Sequence, residues 1–298
     1  MQPRILIVSP VRNEAAHIER VVRGVATQEL PPARWIVVDD RSDDDTLAIL
    51  RRLEAEVPFL TVMEAGPQAT QQTRDRLARA AAPRTLNIGL RTVDVREYTH
   101  VMKLDGDIEL QPDYLREVIA RFDADPTLGI AGGVLDEPLP IGGMRRIRIA
   151  PGHVHGALKL YTHACFAAIG GIQERLGWDT IDGTYARMRG FTTRNFPELV
   201  SLHLRPIGSA DGTLRGHARH GTCAYIAHYS PAFVAVRSIK VATRRPQVLS
   251  GLAFFYGYLR AAAHRVERVP DPEYRRFTRQ ELRRRMRAAV VPQNQGVQ

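Results

Sequence analysis

Two aspartates one residue apart close an apolar run in HVMKLDGDIEL (100–110). Val101, Met102 and Leu104 have the make-up of a buried strand, and Asp105 and Asp107 stand at its end. An isolated buried carboxylate is costly to ionise, so such a pair needs a cation, a hydroxyl or solvent facing it. Residues i and i+2 of a strand share a face. Where the strand frays into a turn, the two acids can grip a divalent ion through oxygen, together with the phosphates that the ion neutralises. A turn with solvated acids satisfies the bare motif as well. A second acidic cluster, VVDDRSDDDT (37–46), also follows an apolar run. Asp39 or Asp40 there can accept from a nucleobase N–H or a ribose hydroxyl. Asp43 to Asp45 read as cap and surface residues, with Asp45 the N-cap of the next helix.

The elements that must position these acids alternate. ILIVS (5–9) reads as a buried strand, and Ile18, Val21, Val22 and Val25 after it have helical spacing. WIVVDD (35–40) is a second strand, followed by a helix with Leu47, Leu50 and Leu53. FLTVM (59–63) is a third strand and THVMKLD a fourth. A helix bearing Tyr114, Leu115, Val118, Ile119 and Phe122 follows, and LGIAGGVL (128–135) is a fifth strand. Strands alternating with helices imply an α/β fold with a mostly parallel, Rossmann-like sheet flanked by helices. Ligands bind such sheets beyond the carboxyl ends of the strands. Those ends carry Pro10, Arg12 and Glu14, then Asp39 and Asp40, then Asp105 and Asp107, which places three polar clusters on one rim. The alternation lapses over 136–176, a stretch rich in Gly, Pro and His that suits loops and irregular strands. A helix is expected in GWDTIDGTYARMRGF.

The 298 residues suffice for one large α/β domain or a domain with an appendage. The net charge of +10 is unevenly placed: fourteen Arg and Lys against four acids lie from Arg237 onward, which leaves residues 1–236 balanced at 28 each. The basicity therefore belongs to the tail, and no nucleic-acid partner is expected. The apolar run near the N-terminus is too short for a signal peptide or a membrane span. Cys165 and Cys223 lack metal-ligand spacing and read as reduced thiols of a cytoplasmic protein.

The ordered series SPVRNEAAHIERVV, WIVVDDRSDDDT, RTLNIGL, VMKLDGDIEL and GGIQERLGWDTIDGTYARMRGF resembles the family-two inverting glycosyltransferases of GT-A fold, over residues 3 to 230. The resemblance implies a nucleotide-sugar donor, UDP-linked by family frequency, and a sugar, lipid-linked or small-molecule acceptor hydroxyl. It implies work in bacterial polysaccharide, glycolipid or glycoconjugate synthesis. Pro10, Arg12 and Glu14 would line the base pocket, and Asp39 or Asp40 would hold uracil or ribose. Arg84 and Asn87 would lie near the nucleotide. Asp105 would face the ribose or sugar, and Asp107 would ligate Mg²⁺ or Mn²⁺. His203, after the apolar LVSL, is the candidate to complete the metal shell. HLRPIG (203–208) and RGHARHG (215–221) also offer Arg and His to a diphosphate. The family's acceptor motif has Glu-Asp where this chain has Trp178 and Asp179, and its Leu and Arg positions hold Asp182 and Tyr185. Asp179 is the expected general base and Asp182 the alternative.

The resemblance divides the chain into a catalytic domain over 1–231, with nucleotide-sugar binding in 1–135 and the acceptor side in 136–231, and a helical basic C-terminal extension over 232–298. In that extension VLSGLAFFYGYL (248–259) is an apolar run flanked by Arg244, Arg245 and Arg260, and RRFTRQELRRRMR reads as a basic helix. Three roles fit: packing on the catalytic domain, a homodimer contact, or peripheral contact with an anionic membrane through 244–287, on the inner membrane face. Two rival functions share the motifs. A haloacid-dehalogenase-like phosphatase also carries Asp-x-Asp after a strand, but near the start of its domain and before a Gly-Thr turn. A non-catalytic nucleotide-sugar binding module would keep the donor side and lack a working base.

Overall fold

A computed structural model of the chain describes residues 2–66, 80–139, 142–205, 212–244 and 246–290. They form two compact units, residues 1–207 and 208–298.

The first unit is built on one nine-stranded sheet in the order β3-β2-β1-β4-β8-β6-β9-β5, with β7 paired to β6. Strands β1 (Ile5–Val11), β2 (Arg34–Asp39) and β4 (His100–Leu104) are apolar on both faces and almost wholly buried, as a parallel sheet covered on two sides requires. β3 (Leu60–Glu64) extends this parallel block. β8 (Leu158–Thr162) then enters antiparallel to both β4 and β6 (Leu128–Pro138). β6 pairs parallel with β9 (Thr192–His203), and the short β5 (Ile108–Glu109) and β7 (Met144–Arg146) run antiparallel to β9 and β6. Six strands therefore share one direction and three oppose it. The helices α1 (Ile18–Ala26), α2 (Thr46–Glu54), α3 (Ala81–Leu90), α4 (Tyr114–Ala124), α5 (His163–Ala168) and α6 (Trp178–Met188) flank the sheet.

The expected strands and helices of residues 5–135 are present within a few residues of their anticipated ends. Pro10 is tolerated in the central β1 because the β4 ladder stops at Val8–Lys103, so its missing N–H is not needed on that side. Asp45 stands at the N-cap of α2, but its side chain makes no capping bond. Asp44 does the work instead, accepting from Thr46 N at 3.0 Å and Thr46 Oγ1 at 2.5 Å.

The second unit holds α7 (Thr213–Ile226), α8 (Pro231–Ala242), α9 (Leu249–Ala263) and α10 (Pro272–Val290). The break at 207/208 precedes the 231/232 division that the resemblance implies, and α7 packs on α9. The two backbones meet at glycines: a Cβ on Gly257 would lie 1.8 Å from Ala218 O, and one on Gly221 1.9 Å from Phe254 O. α8 opens the stretch expected to be a helical extension, and Ser230 and Pro231 mark its start, with the Ser230 hydroxyl accepting from Phe233 N at 3.3 Å. α10 buries Tyr274, Thr278 and Leu282 at four-residue spacing and turns its arginines outward, as a basic helix with one solvated face should. Pro206 to Gly208 of the HLRPIG stretch and Arg245 lie outside the described residues. Neither Cys165 nor Cys223 is in a disulfide.

Gly133 of β6 tests the fit of the sheet. A Cβ there would sit 2.1 Å from Leu199 O of β9 and 3.0 Å from the Tyr114 ring. Gly133→Ala is expected to cost about 3 kcal/mol by forcing the β6–β9 ladder apart. Urea unfolding checks this, and an unchanged midpoint would contradict it.

Candidate active site

The loops after β1 and β2 are laced together. Asn13, at φ 54°, gives its amide to Asp43 Oδ1 at 2.5 Å and takes Asp43 N at 3.0 Å, while its own N–H reaches Ser42 Oγ at 2.9 Å. Arg12 Nη1 donates to Asp40 O at 3.2 Å. Asp39 is buried and spends its carboxylate within its own turn, on Ser42 N at 3.0 Å and Ser42 Oγ at 2.5 Å. Asp40, equally buried, accepts the Thr85 hydroxyl of α3 at 3.1 Å. Pro10, Arg12, Glu14, Asp39 and Asp40 are thus gathered on one rim. Arg84 is exposed on α3. Asn87 turns its amide to Ile172 O at 2.9 Å and Glu174 Oε1 at 3.2 Å, tying α3 to the segment after α5.

The second cluster sits at the end of β4. Gly106 between the two aspartates is required by close packing: a Cβ there would lie 2.7 Å from Val11 Cγ1 and 3.2 Å from Glu14 Cγ. Asp105 pairs with the buried Lys103, and its N–H donates to Ala157 O at 2.8 Å. Asp107 leads into β5, whose antiparallel pairing sets Ile108 opposite His203. That register brings His203 Nε2 to 3.1 Å from Asp107 Oδ2, and Arg205 Nε lies 2.9 Å from the same oxygen. Arg205 also donates to Glu14 Oε1 at 2.5 Å, so one guanidinium bridges the β1 and β4 loops.

These contacts separate the acids. Burial and the Asp107 charge raise Asp105 above the ordinary carboxylate range, with Lys103 opposing them. Burial also acts on Asp107, but the His203 hydrogen bond and the charges of His203, Arg205 and Lys103 hold it below that range. Glu14 is pushed up to about 7 by burial first and by Asp107 next, against the pull of Arg205. Its Oε2 and the Nδ1 of His203 are buried with no hydrogen-bond partner among the described residues.

Among the described residues no group of three or more His, Cys, Asp and Glu is disposed to hold a metal ion by itself. Asp107 and His203, with Asp105 nearby, are of the residue types that could hold an ion whose other ligands come from a bound molecule. Such hard cations take one or two carboxylates from the protein and fill the remaining positions with phosphate oxygen and water.

The acceptor-side helix α6 begins after Gly177, at φ 82°. Its two acids have different fates. Asp182 is buried, accepts Lys159 Nζ at 2.9 and 3.1 Å, and is also bonded by the Tyr161 hydroxyl and by Gly183 N. Burial raises its pKa, and Lys159 opposes this. Its oxygens anchor α6 to β8, whereas the sequence places it beside Asp179 as the alternative base. Asp179 is half-buried, and among the described residues its carboxylate has no hydrogen bond or ion pair. Beside it stands His155, held neutral with its pKa lowered to about 4 by burial, against the Asp179 charge.

Lys103 and Lys159 face one another across β4 and β8, and both ammonium groups lie over the Trp178 ring, at 5.5 and 5.7 Å from its centre. Trp178 therefore joins the donor-side acids to α6. Lys159, Tyr161 and His155 are site residues that sequence reasoning missed. A lysine inside the apolar run LKLYT was the available signal, since a buried lysine demands a partner acid. The residues RGHARHG, expected near a diphosphate, lie in α7 of the second unit.

The arrangement is that of a GT-A glycosyltransferase. The sequence profile of Glycosyl transferase family 2 matches residues 6–173, more than half of the chain. The chain belongs to that family. Beta-monoglucosyldiacylglycerol synthase of Synechocystis sp. is 31% identical over 130 residues, covering 43% of this chain. The match spans only 24% of that relative's own length. Among solved structures, mannosyltransferase PcManGT from Pyrobaculum calidifontis, in complex with GDP-Man and Mn²⁺, superposes with a TM-score of 0.57 at 20% identity, over 97% of this chain and 87% of that one. S. aureus TarS 1–349 in complex with UDP-GlcNAc superposes at 0.54 and 13% identity, over 87% and 73%. These likenesses establish the fold.

Two stability measurements follow. Folding lifts Glu14 from 4.5 to about 7, so the folded chain keeps a proton that the unfolded chain has released across that window. The resulting stabilisation is complete below about pH 4.5 and lost as pH rises through 7. Glu14→Gln is expected to remove this loss, worth up to about 3 kcal/mol, so its melting curve between pH 5 and 8 should be flatter than wild type. Parallel profiles would contradict the shift. Asp182→Asn leaves the buried Lys159 uncompensated and should cost about 3–5 kcal/mol in urea unfolding. Asp179→Asn should change stability by under about 0.5 kcal/mol.

Proposed function

We propose that this glycosyltransferase moves a sugar from a nucleoside diphosphate to an acceptor hydroxyl with inversion at the anomeric carbon, using Asp179 as general base. The observation that carries this reading is the contrast on α6. Asp182 is committed to Lys159 and Tyr161, whereas Asp179, at the helix start beside neutral His155, has no hydrogen bond or ion pair on its carboxylate among the described residues. An uncommitted, half-buried carboxylate can take a proton from an approaching hydroxyl.

The donor side is assigned to the rim around β1, β2 and β4. Pro10, Arg12 and Glu14 bound the base, and Asp40, held by Thr85, serves the base or ribose more readily than Asp39, whose oxygens close its own turn. Arg84 and Asn87 are candidates near the nucleotide, with the Asn87 amide also bonded to Ile172 and Glu174. Asp105 faces the ribose or sugar. Asp107 and His203 would hold the divalent ion, Mg²⁺ or Mn²⁺, which when bound neutralises the diphosphate and stabilises it as a leaving group. The GDP-Man and UDP-GlcNAc complexes of the two structural neighbours support a nucleotide-sugar donor while differing in the base. A UDP-linked donor rests on the resemblance in sequence alone.

The direct test is initial-rate kinetics with donor binding measured in parallel. Asp179→Asn should retain donor affinity and lose ~10²–10⁴ in turnover, the usual worth of general-base assistance. Near-normal turnover would place the base elsewhere.

A further inference from the structure

The second unit carries an apolar face that the fold leaves bare. α9 buries Phe254, Tyr258 and Ala261, with Gly257 set directly against the backbone of α7. Its other contact is α8, whose Ser238 O and Ala242 crowd Gly251. What remains of α9 is a third face of Leu249, Leu252, Tyr256 and Leu259, each at least half exposed, with Tyr256 at 61%. The spacing i, i+3, i+7, i+10 places them along one side of the helix. α8 continues the surface with Val236 and Ile239, the latter 72% exposed. The two helices run antiparallel, Ala242 O meeting Val248 N at 2.8 Å and Arg237 lying over the Phe254 ring at 5.5 Å. Val236 and Ile239 lie off the Ser238 and Ala242 face that α8 turns to α9, so exposed apolar side chains line both helices of the pair.

Charge selects the occupant. Lys240, Arg244 and Arg260 border the patch, and the sequence has no Asp or Glu between Asp211 and Glu267. A second copy docked on the same patch would bring these cations against their own kind with no acid to answer them. A lipid surface with anionic headgroups satisfies both parts, taking the apolar side chains below the headgroup level and the basic ones within it. The fifteen-residue α9 is about 22 Å long, short of the roughly 30 Å hydrocarbon layer, and no helix among the described residues is long and apolar enough to cross a membrane. We propose that the joint face of α8 and α9 lies in the interface of an anionic bilayer, as a peripheral anchor. The proposal rests on the second unit alone and stands apart from the catalytic reading.

Vesicle flotation of the full chain tests it, with phosphatidylcholine vesicles and with vesicles containing added phosphatidylglycerol. Wild type should float with the anionic vesicles and bind the neutral ones about tenfold or more weakly, and 0.5 M salt should weaken the anionic binding. Ile239→Glu with Leu252→Glu should abolish flotation, and Lys240→Glu with Arg244→Glu should remove the preference for anionic lipid, with melting temperatures kept near wild type because all four side chains are exposed. Wild type that does not float, or an apolar double variant that floats as well as wild type, overturns the proposal. Sedimentation velocity supplies the last arm. A dimer that Ile239→Glu with Leu252→Glu splits, without lipid binding by wild type, would overturn it in favour of a second copy.

Discussion

Charge buried at the mouth of a sheet is tolerable only when every charge finds a partner, and this constraint organises the site. Lys103 and Lys159, opposite one another on β4 and β8, are almost completely shielded from solvent. Each is balanced by one aspartate: Asp105 two residues along the same strand, Asp182 from the acceptor-side helix. Trp178 lies against both ammonium groups, so the position of α6 and that of the Asp-x-Asp turn are set by one rung of the sheet. Glu14, Arg205, Asp107 and His203 repeat the logic on the other side of the turn, where a single guanidinium holds together the loop after β1, through Glu14, and the turn after β4, through Asp107.

Two aspartates are left with different duties by this accounting. Asp107 is held ionised by His203 and Arg205, which suits a ligand for a cation. Among the described residues Asp179 has no lysine or tyrosine on its carboxylate, which suits a base. The same helix carries both acids three residues apart, and Lys159 and Tyr161 of β8 bond one of them.

The donor half of the site was legible in the sequence because its evidence is local. Apolar runs at 5–9, 35–38 and 101–104 can only be strands buried on both faces, and the acids that end them must then gather on one rim. The pairing of His203 with Asp107 was also foreseeable, from LVSL as a strand and the histidine at its end. The acceptor half was less legible because its evidence is long-range. Lys159 is buried only because Asp182, 23 residues later, balances it, and nothing in LKLYTHAC announces that partner. Helical spacing alone made Asp179 and Asp182 equivalent. The bonds of the Asn87 amide to Ile172 and Glu174 are likewise long-range and left no mark in RTLNIGL. The contact of α7 with α9 was hidden for a similar reason: α7 is rich in His, Gly and Arg, and its glycine contact with α9 is long-range.

The central claim is that Asp107 and its histidine seat a divalent ion against a donor's diphosphate. Isothermal titration of a nucleoside diphosphate, with and without Mn²⁺, on the wild-type chain and on Asp107→Asn tests it most directly. The account predicts that Mn²⁺ tightens wild-type binding about tenfold or more, and that the variant binds the nucleotide equally with and without the ion. A metal-dependent gain that survives the loss of Asp107, or its absence from the wild type, would contradict it.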